Sequence, residues 1–243
     1  MKTVAIVQAR LGSSRLPGKV LQPLAGEPML VRVVRRLSRA RTLDAVVVAT
    51  STAQADDAIV ELGRREGWPV ERGSESDLLD RYTSAAQAHA VKVVVRVTSD
   101  CPLIDPELVD EVVDAFSGSG ADYASNTLEP RTYPRGLDIE VMTMTALSRA
   151  WREDTNPAWR EHATPYLYRH PERFRLLRVA GFEDHSEHRW TVDTEADLEL
   201  VRRIYDAFPD DRFGWREVLE LLEQHPDWSA INRGVPQKGV PRG

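Results

Sequence analysis

Val4-Ala-Ile-Val-Gln-Ala-Arg-Leu-Gly-Ser-Ser-Arg-Leu-Pro-Gly-Lys-Val-Leu21 sets the reading of the whole chain. The apolar, β-branched run Val4–Val7 turns abruptly into a loop carrying Gly12, Ser13, Ser14, Arg15, Gly18 and Lys19. That pattern predicts a buried strand feeding a glycine-containing cationic loop. Gly12 and Gly18 let backbone N–H groups approach an anion closely. Arg10, Arg15 and Lys19 add three positive charges within ten residues. A polyphosphate fits such a loop. Spacing alone leaves a second reading open, a solvated basic loop with no ligand.

Two common phosphate motifs are excluded. The P-loop needs four residues between its glycines and Ser or Thr after the lysine. Here five residues, Ser13 to Pro17, separate Gly12 from Gly18, and Val20 follows Lys19. The dinucleotide fingerprint Gly-x-Gly-x-x-Gly is absent from this stretch.

Composition narrows the class. With 243 residues and 42% hydrophobic, the chain can bury one sizeable core. No apolar run approaches the roughly 18 residues of a membrane span. The run from Val4 ends at Gln8, too short for a signal-peptide h-region. One cysteine, Cys101, leaves no internal disulfide, so a reducing cytoplasm is the expected location. Cys101 reads as a packing residue, with no base beside it. Net charge is −6, yet the first fifty residues hold nine Lys/Arg and two acids. An acidic chain with one basic block argues against nucleic acid and suits a small anionic ligand. Arg32, Arg35, Arg36 and Arg39 stand at helical spacing and read as a solvated face.

Strands are expected at Val4–Val7, Asp44–Thr50, Trp68–Val70, Lys92–Val97 and Ala121–Tyr123. Helices are expected from Pro28 to Ala40, from Ser51 or Thr52 to Gly67, up to Ala90, and from Asp105-Pro106. Apolar strands alternating with helices predict an α/β, Rossmann-like fold with a mostly parallel sheet covered on both faces. Ligands bind such sheets beyond the carboxyl ends of the strands, at the switch point. A strand order 3-2-1-4 brings the loops Ala9–Lys19 and Thr98–Pro102 into one site. After Tyr123 the alternation stops. Leu137–Val141 reads as a strand solvated on one face. Helices at Thr145–Arg152 and Pro157–Arg169, strands at Phe174–Val179 and Arg189–Val192, and helices at Glu195–Phe208 and Trp215–Gln224 follow. The expected organisation is one domain, 1–233. It comprises a nucleotide-binding half (1–124), a smaller α+β acceptor and dimerisation lobe (125–188), and a return strand with C-terminal helices (189–233). A flexible tail covers 234–243.

Gln8-Ala-Arg-Leu-Gly-Ser-Ser-Arg-Leu-Pro-Gly-Lys19 resembles the signature loop of the sugar-acid cytidylyltransferases, the CMP-KDO and CMP-sialic acid synthetases and their spore-coat polysaccharide relatives. The likeness to the spore-coat group runs across most of the chain. It implies a nucleotidyltransferase fold and transfer of CMP from CTP to a sugar acid with loss of pyrophosphate. A homodimer is also implied. Arg10, Arg15 and Lys19 would then act on the phosphates. Gln8, Ala9, Arg10, Leu11, Gly12, Ser13, Thr98 and Ser99 would bind nucleotide, with Arg72, Gly73 and Asp77 at base and ribose.

Asp100 follows a buried strand, where a carboxylate points into the crevice. A turn or cap aspartate is the alternative. The resemblance makes it a Mg²⁺ ligand. Val192-Asp193-Thr-Glu-Ala-Asp-Leu198 resembles the family's Val-Asp-Thr-x-x-Asp-Leu segment, whose first Asp is the other metal ligand. Mg²⁺ takes one or two carboxylates plus phosphates and water. Tyr133-Pro-Arg-Gly-Leu-Asp-Ile-Glu140 resembles the sugar-facing segment, placing Tyr133, Arg135, Gly136, Asp138 and Glu140 at the acceptor, joined by His162 on a helix. Glu183, Asp184, His185, Glu187 and His188 crowd one loop without a spaced partner cluster, which does not imply zinc. Rival readings are a glycosyltransferase using a nucleotide sugar, and a cytidylyltransferase acting on a phosphonate or polyol phosphate. The first normally carries Asp-x-Asp, which this chain lacks. Leu11 and Arg15-Leu16 depart from the sialic-acid group and leave the acceptor open.

Overall fold

The computed structural model describes residues 2–237. In chain order the strands are β1 (Thr3–Gln8), β2 (Pro23–Leu24), β3 (Glu27–Pro28), β4 (Ala45–Ser51), β5 (Val70–Gly73), β6 (Val93–Thr98), β7 (Tyr123–Ser125), β8 (Glu140–Thr143) and β9 (Leu176–Arg178). The helices are α1 (Met29–Leu37), α2 (Asp57–Glu66), α3 (Leu78–Ala88), α4 (Pro106–Phe116), α5 (Met144–Glu153), α6 (Pro157–Arg160), α7 (Pro165–Tyr168), α8 (Glu195–Ala207), α9 (Trp215–Gln224) and α10 (Pro226–Ala230).

One seven-stranded sheet runs β5-β4-β1-β6-β8-β7-β9. The first four positions are the expected 3-2-1-4 order, all parallel. β8 is antiparallel to both β6 and β7, and β9 is parallel to β7. Strand alternation sends side chains to both faces. Ala5, Val7, Val48 and Val95 join a core with α1, α4 and α8. Val4, Ile6, Val47 and Val94 join a second core with α3 and α5. Burial on both faces is why these strands read as unbroken apolar runs.

Several elements differ from expectation, each for a local reason. The helix expected over 157–169 is two short ones. Pro165 opens α7 because its missing N–H costs least at a helix start, and Ala163 adopts φ +66° between them. Residues 189–192 form no ladder, only a single bridge from Arg189 to Arg135. Ser51 caps nothing; its hydroxyl donates to buried Asp56, and α2 starts six residues later. The third strand begins at Val70, because Trp68 is spent closing the α2 turn onto Gly63. β8 is not solvated on one face, since Glu140 is buried.

The arginines of α1 and Arg39 just beyond it also overturn their reading. Arg36 is fully buried and donates to the carbonyls of Ile104, Asp211 and Phe213 at 2.7, 2.6 and 2.8 Å. Arg32 and Arg39 pair with Asp211 at 3.2 and 2.7 Å. Arg35 and Arg39 are the exposed ones, and Arg39 still spends its charge on Asp211. Three of the four hold the 211–213 segment against the domain. Their charge is largely consumed internally rather than offered to a ligand.

Candidate active site

Gln8 and Thr98 are register partners at the carboxyl ends of β1 and β6. The loops leaving those strands line one cleft of about 650 Å³. The first loop is braced at Leu11, whose carbonyl accepts from the N–H groups of Ser13 and Gly18 at 2.8 and 3.0 Å. Leu11's own N–H donates to Asp56 at 2.8 Å. Gly18, at φ +69°, turns the chain so that Lys19 points inward.

Lys19 is buried, and its Nζ donates to Asp100 Oδ2, Asp193 Oδ1 and the Val192 carbonyl, each at 2.8 Å. All three ammonium protons are thereby used. Burial by itself would lower the Lys19 pKa, but Asp100 and Asp193 outweigh it and raise it. Burial would likewise raise the Asp100 carboxyl. Lys19 and the Thr98 hydroxyl outweigh that and hold it below its usual range. Asp193 also receives Arg15 at 2.8 Å and Arg189 at 2.9 Å. Asp197, with no exposure, fixes this arrangement. It accepts from Arg189 and Asn232 and from the N–H groups of Asp193 and Thr194, and it completes a capping box with Thr194.

A second polar strip crosses the sheet. Arg96, on β6, pairs with Glu140 on β8 and donates to Gln8 Oε1 at 3.0 Å. The one hydroxyl proton of Tyr82 is shared between the Ile6 carbonyl at 3.1 Å and Gln8 Oε1 at 3.2 Å, and burial pushes the hydroxyl up to about 12. Arg96, assisted by Tyr82, orients the Gln8 amide. His162 lines the cleft, and burial, followed by the nearby charge of Arg96, lowers its pKa.

Of the expected site residues, Gln8, Ala9, Arg10, Gly12, Ser13, Arg15, Lys19, Thr98, Ser99, Asp100, Asp193, Arg135, Asp138, Glu140 and His162 all line the cleft. Leu11, Arg72, Gly73, Asp77, Tyr133 and Gly136 do not. Arg72 is spent on Asp57 and on the carbonyls of Ser51 and Ala53. Gly73 packs against Arg81, where a Cβ would come within 3.0 Å. Asp77 caps α3 and pairs with Arg160 at 2.8 Å. Tyr133 packs edge-on against Trp215. Gly136 has φ +105°, and a Cβ there would lie 2.5 Å from the Thr191 nitrogen. Glu140 is engaged by Arg96 and by Tyr123 at 2.7 Å, so it braces the floor. Asp138 is engaged by Arg131 and the Gly136 N–H.

Sequence reasoning missed Arg81, Arg96, Thr127, Thr191 and Gln237, all on the cleft wall. Arg96 carried a visible signal, a charge inside an apolar strand. Gln237 lay within the expected flexible tail, yet it accepts from Arg189, while Pro236 accepts from Arg15 at 3.5 Å. Residues 238–243 of that tail lie outside the described residues. Cys101 is buried, and burial together with Asp100 pushes its thiol well above the usual range, as suits a packing residue.

The profile of the cytidylyltransferase family matches residues 4–225. The chain belongs to the cytidylyltransferase family. It is 34% identical over 236 residues to the spore coat polysaccharide biosynthesis protein SpsF of Bacillus subtilis, covering 91% of this chain and 94% of that protein. A cytidylyltransferase structure from Leptospira borgpetersenii serovar Hardjo-bovis superposes with TM-score 0.90 at 32% identity, covering 98% of this chain and all of the other. The CMP-KDO synthetase structure complexed with CTP shares the fold, with TM-score 0.65 at 21% identity over 85% of this chain and 99% of that one.

This cytidylyltransferase is therefore a CTP-dependent nucleotidyltransferase. Its cleft offers carboxylates to a cation, but no cluster of three or more His, Cys, Asp or Glu among the described residues. Two oxygen donors converging on one point fit a hard divalent ion that takes the rest of its shell from phosphates and water.

Proposed function

We propose that this cytidylyltransferase transfers CMP from CTP to a 2-keto sugar acid of the ulosonic type, releasing pyrophosphate, for polysaccharide or glycoconjugate assembly. The observation that carries the reading is the gathering of Asp100 and Asp193 onto Lys19, in the same cleft as Arg10, Arg15 and Arg135. The names of the relatives point to the same class of acceptor.

In this reading an acceptor oxygen forms a bond to the α-phosphorus in line as the bond to the bridging oxygen of pyrophosphate breaks. The acceptor's proton is released. Catalysis rests on positioning and charge neutralisation. Arg10, Arg15 and Lys19 hold the β- and γ-phosphates and offset the charge of the leaving group. Gln8, Thr98 and Ser99 line the nucleotide side. Arg135 meets the acceptor carboxylate, bidentate where geometry allows. Asp100 and Asp193 would hold Mg²⁺, which supplies charge neutralisation at the α-phosphate when bound. A cytoplasmic homodimer built through residues 125–188 belongs to the same reading.

Pyrophosphate release with CTP, UTP, ATP and GTP against a panel of sugar acids tests it. Turnover with CTP and a ulosonic acid is expected, and preference for UTP or ATP overturns it. Asp100→Ala is expected to lose at least about 100-fold in rate, the scale of a removed charge-stabilising group. Activity near that of the parent removes the metal assignment.

A further inference from the structure

We propose that the Lys19 ammonium is the resident cation of the Asp100–Asp193 pair, and that it leaves this place for the phosphates of the incoming nucleotide as a divalent ion takes it. The proposal rests on the cytidylyltransferase reading of the cleft. Lys19 Nζ sits 2.8 Å from one oxygen of each carboxylate. That is the point at which two carboxylates would share a metal. The remaining carboxylate oxygens are also engaged, Asp100 Oδ1 by the Thr98 hydroxyl and Asp193 Oδ2 by Arg15 and Arg189.

Charge makes the exchange conditional. Asp100, Asp193 and Asp197 are matched by Lys19, Arg15 and Arg189, so the cluster is formally neutral. A divalent ion entering alone would either meet the ammonium or expel it from its three acceptors, the two carboxylates and the Val192 carbonyl, into a cleft of mixed charge lined by Arg10, Arg81 and Arg135 and by Glu75 and Glu161. A triphosphate reverses that balance, giving Lys19 new acceptors and the ion new ligands. Lys19 is equipped for the move, because its ammonium is a point charge on a flexible four-carbon stem. A guanidinium in its place would be held by its planar fork.

Metal and nucleotide binding are thus coupled, and the coupling is reciprocal. The metal-competent state is a minor one until nucleotide arrives, which lowers apparent metal affinity by its population.

Mn²⁺ titration followed by the paramagnetic resonance of the free ion reads this without turnover. Wild-type protein is expected to bind Mn²⁺ about 10- to 100-fold more tightly with CTP than without, beyond what CTP alone binds. Lys19→Met is expected to bind Mn²⁺ alone about tenfold or more tightly than wild type, and to lose most of the coupling. Equal Mn²⁺ affinity in wild type and Lys19→Met without nucleotide overturns the proposal. So does wild-type affinity that is unchanged by CTP while CTP is shown to bind. The metal-alone comparison involves no nucleotide, so an error in the CTP assignment leaves it standing. Should Lys19→Met fail to fold, the wild-type titration with and without CTP decides by itself.

Discussion

Replacing Asp197 by alanine tests what holds the Asp193 carboxylate, a proposed metal ligand, in place. Asp197 is fully buried, and its two oxygens receive six donors. Two come from Arg189, at 2.8 and 3.1 Å; Asn232 supplies one at 2.8 Å; the rest are the backbone of Asp193 and Thr194 and the Thr194 hydroxyl. Truncation leaves a buried guanidinium with only Asp193 among its carboxylate partners, and removes half of the α8 capping box. Breaking a buried pair from one side costs about 3–5 kcal/mol. At about 2–4 °C per kcal/mol for a domain of this size, the melting temperature should fall by roughly 6–20 °C. Denaturant melts of Asp197→Ala, Arg189→Ala and the double variant would give a coupling energy within about 0.5–3 kcal/mol. Mn²⁺ affinity in the presence of CTP should fall about 10- to 100-fold, because Arg189 is released to pull Asp193 away from Lys19. A loss of stability below about 1 kcal/mol, or strictly additive single variants, would refute the reasoning. Asp193 would then be placed by its backbone alone.

Gly12→Ala discriminates folding from ligand binding, because nothing lies within 4 Å of the added Cβ and its φ is not left-handed. Stability should stay within about 0.5 kcal/mol of the parent, while CTP affinity, measured calorimetrically, falls if a phosphate sits on that backbone. Acid stability should also carry the signature of the cluster. Burial raises the Asp197 carboxyl, but hydrogen bonds from Arg189 and Asn232 outweigh it and hold it below its usual range. Its contribution is therefore present above the unfolded pKa of about 4 and is lost as pH falls through the lower folded value. Denaturant midpoints taken from about pH 6 down to about pH 3 should decline for the parent and decline less for Asp197→Ala. Parallel declines would remove Asp197 from that role.

The first four strands and their order were legible because each is a run of β-branched residues bounded by turns, and burial on both faces imposes that pattern. The cleft was legible where its lining sits next to a strand end, as at Gln8 and Asp100, and in the cationic loop that carries Lys19. Asp193 needed the family resemblance, since a lone aspartate before a helix reads equally as a cap. What sequence concealed was the partnering of charges. Arg36 looks like a surface residue until the carbonyls of Asp211 and Phe213 arrive from the far end of the chain. Glu140 looks solvated until Arg96 of the neighbouring strand meets it. Arg72 and Asp77 sit near the expected nucleotide loop by position, yet ion pairs with Asp57 and Arg160 engage them instead. These outcomes depend on non-local encounters that no local periodicity encodes.

The strip from Gln8 through Arg96 to Glu140 has a mechanical consequence. β1, β6 and β8 are consecutive strands of one sheet, bonded rung by rung at a spacing of about 4.8 Å. Gln8, Arg96, Glu140 and Tyr123 form a crossbar tying four of its strands. The floor under the proposed nucleotide site and the floor under the proposed acceptor site therefore cannot separate without shearing ladder bonds. The span between them is a gauge of fixed length. On the proposed reading, an acceptor one carbon longer or shorter would meet this gauge at its far end, and a change of substrate would be a matter of new side chains and loops at β8 and beyond.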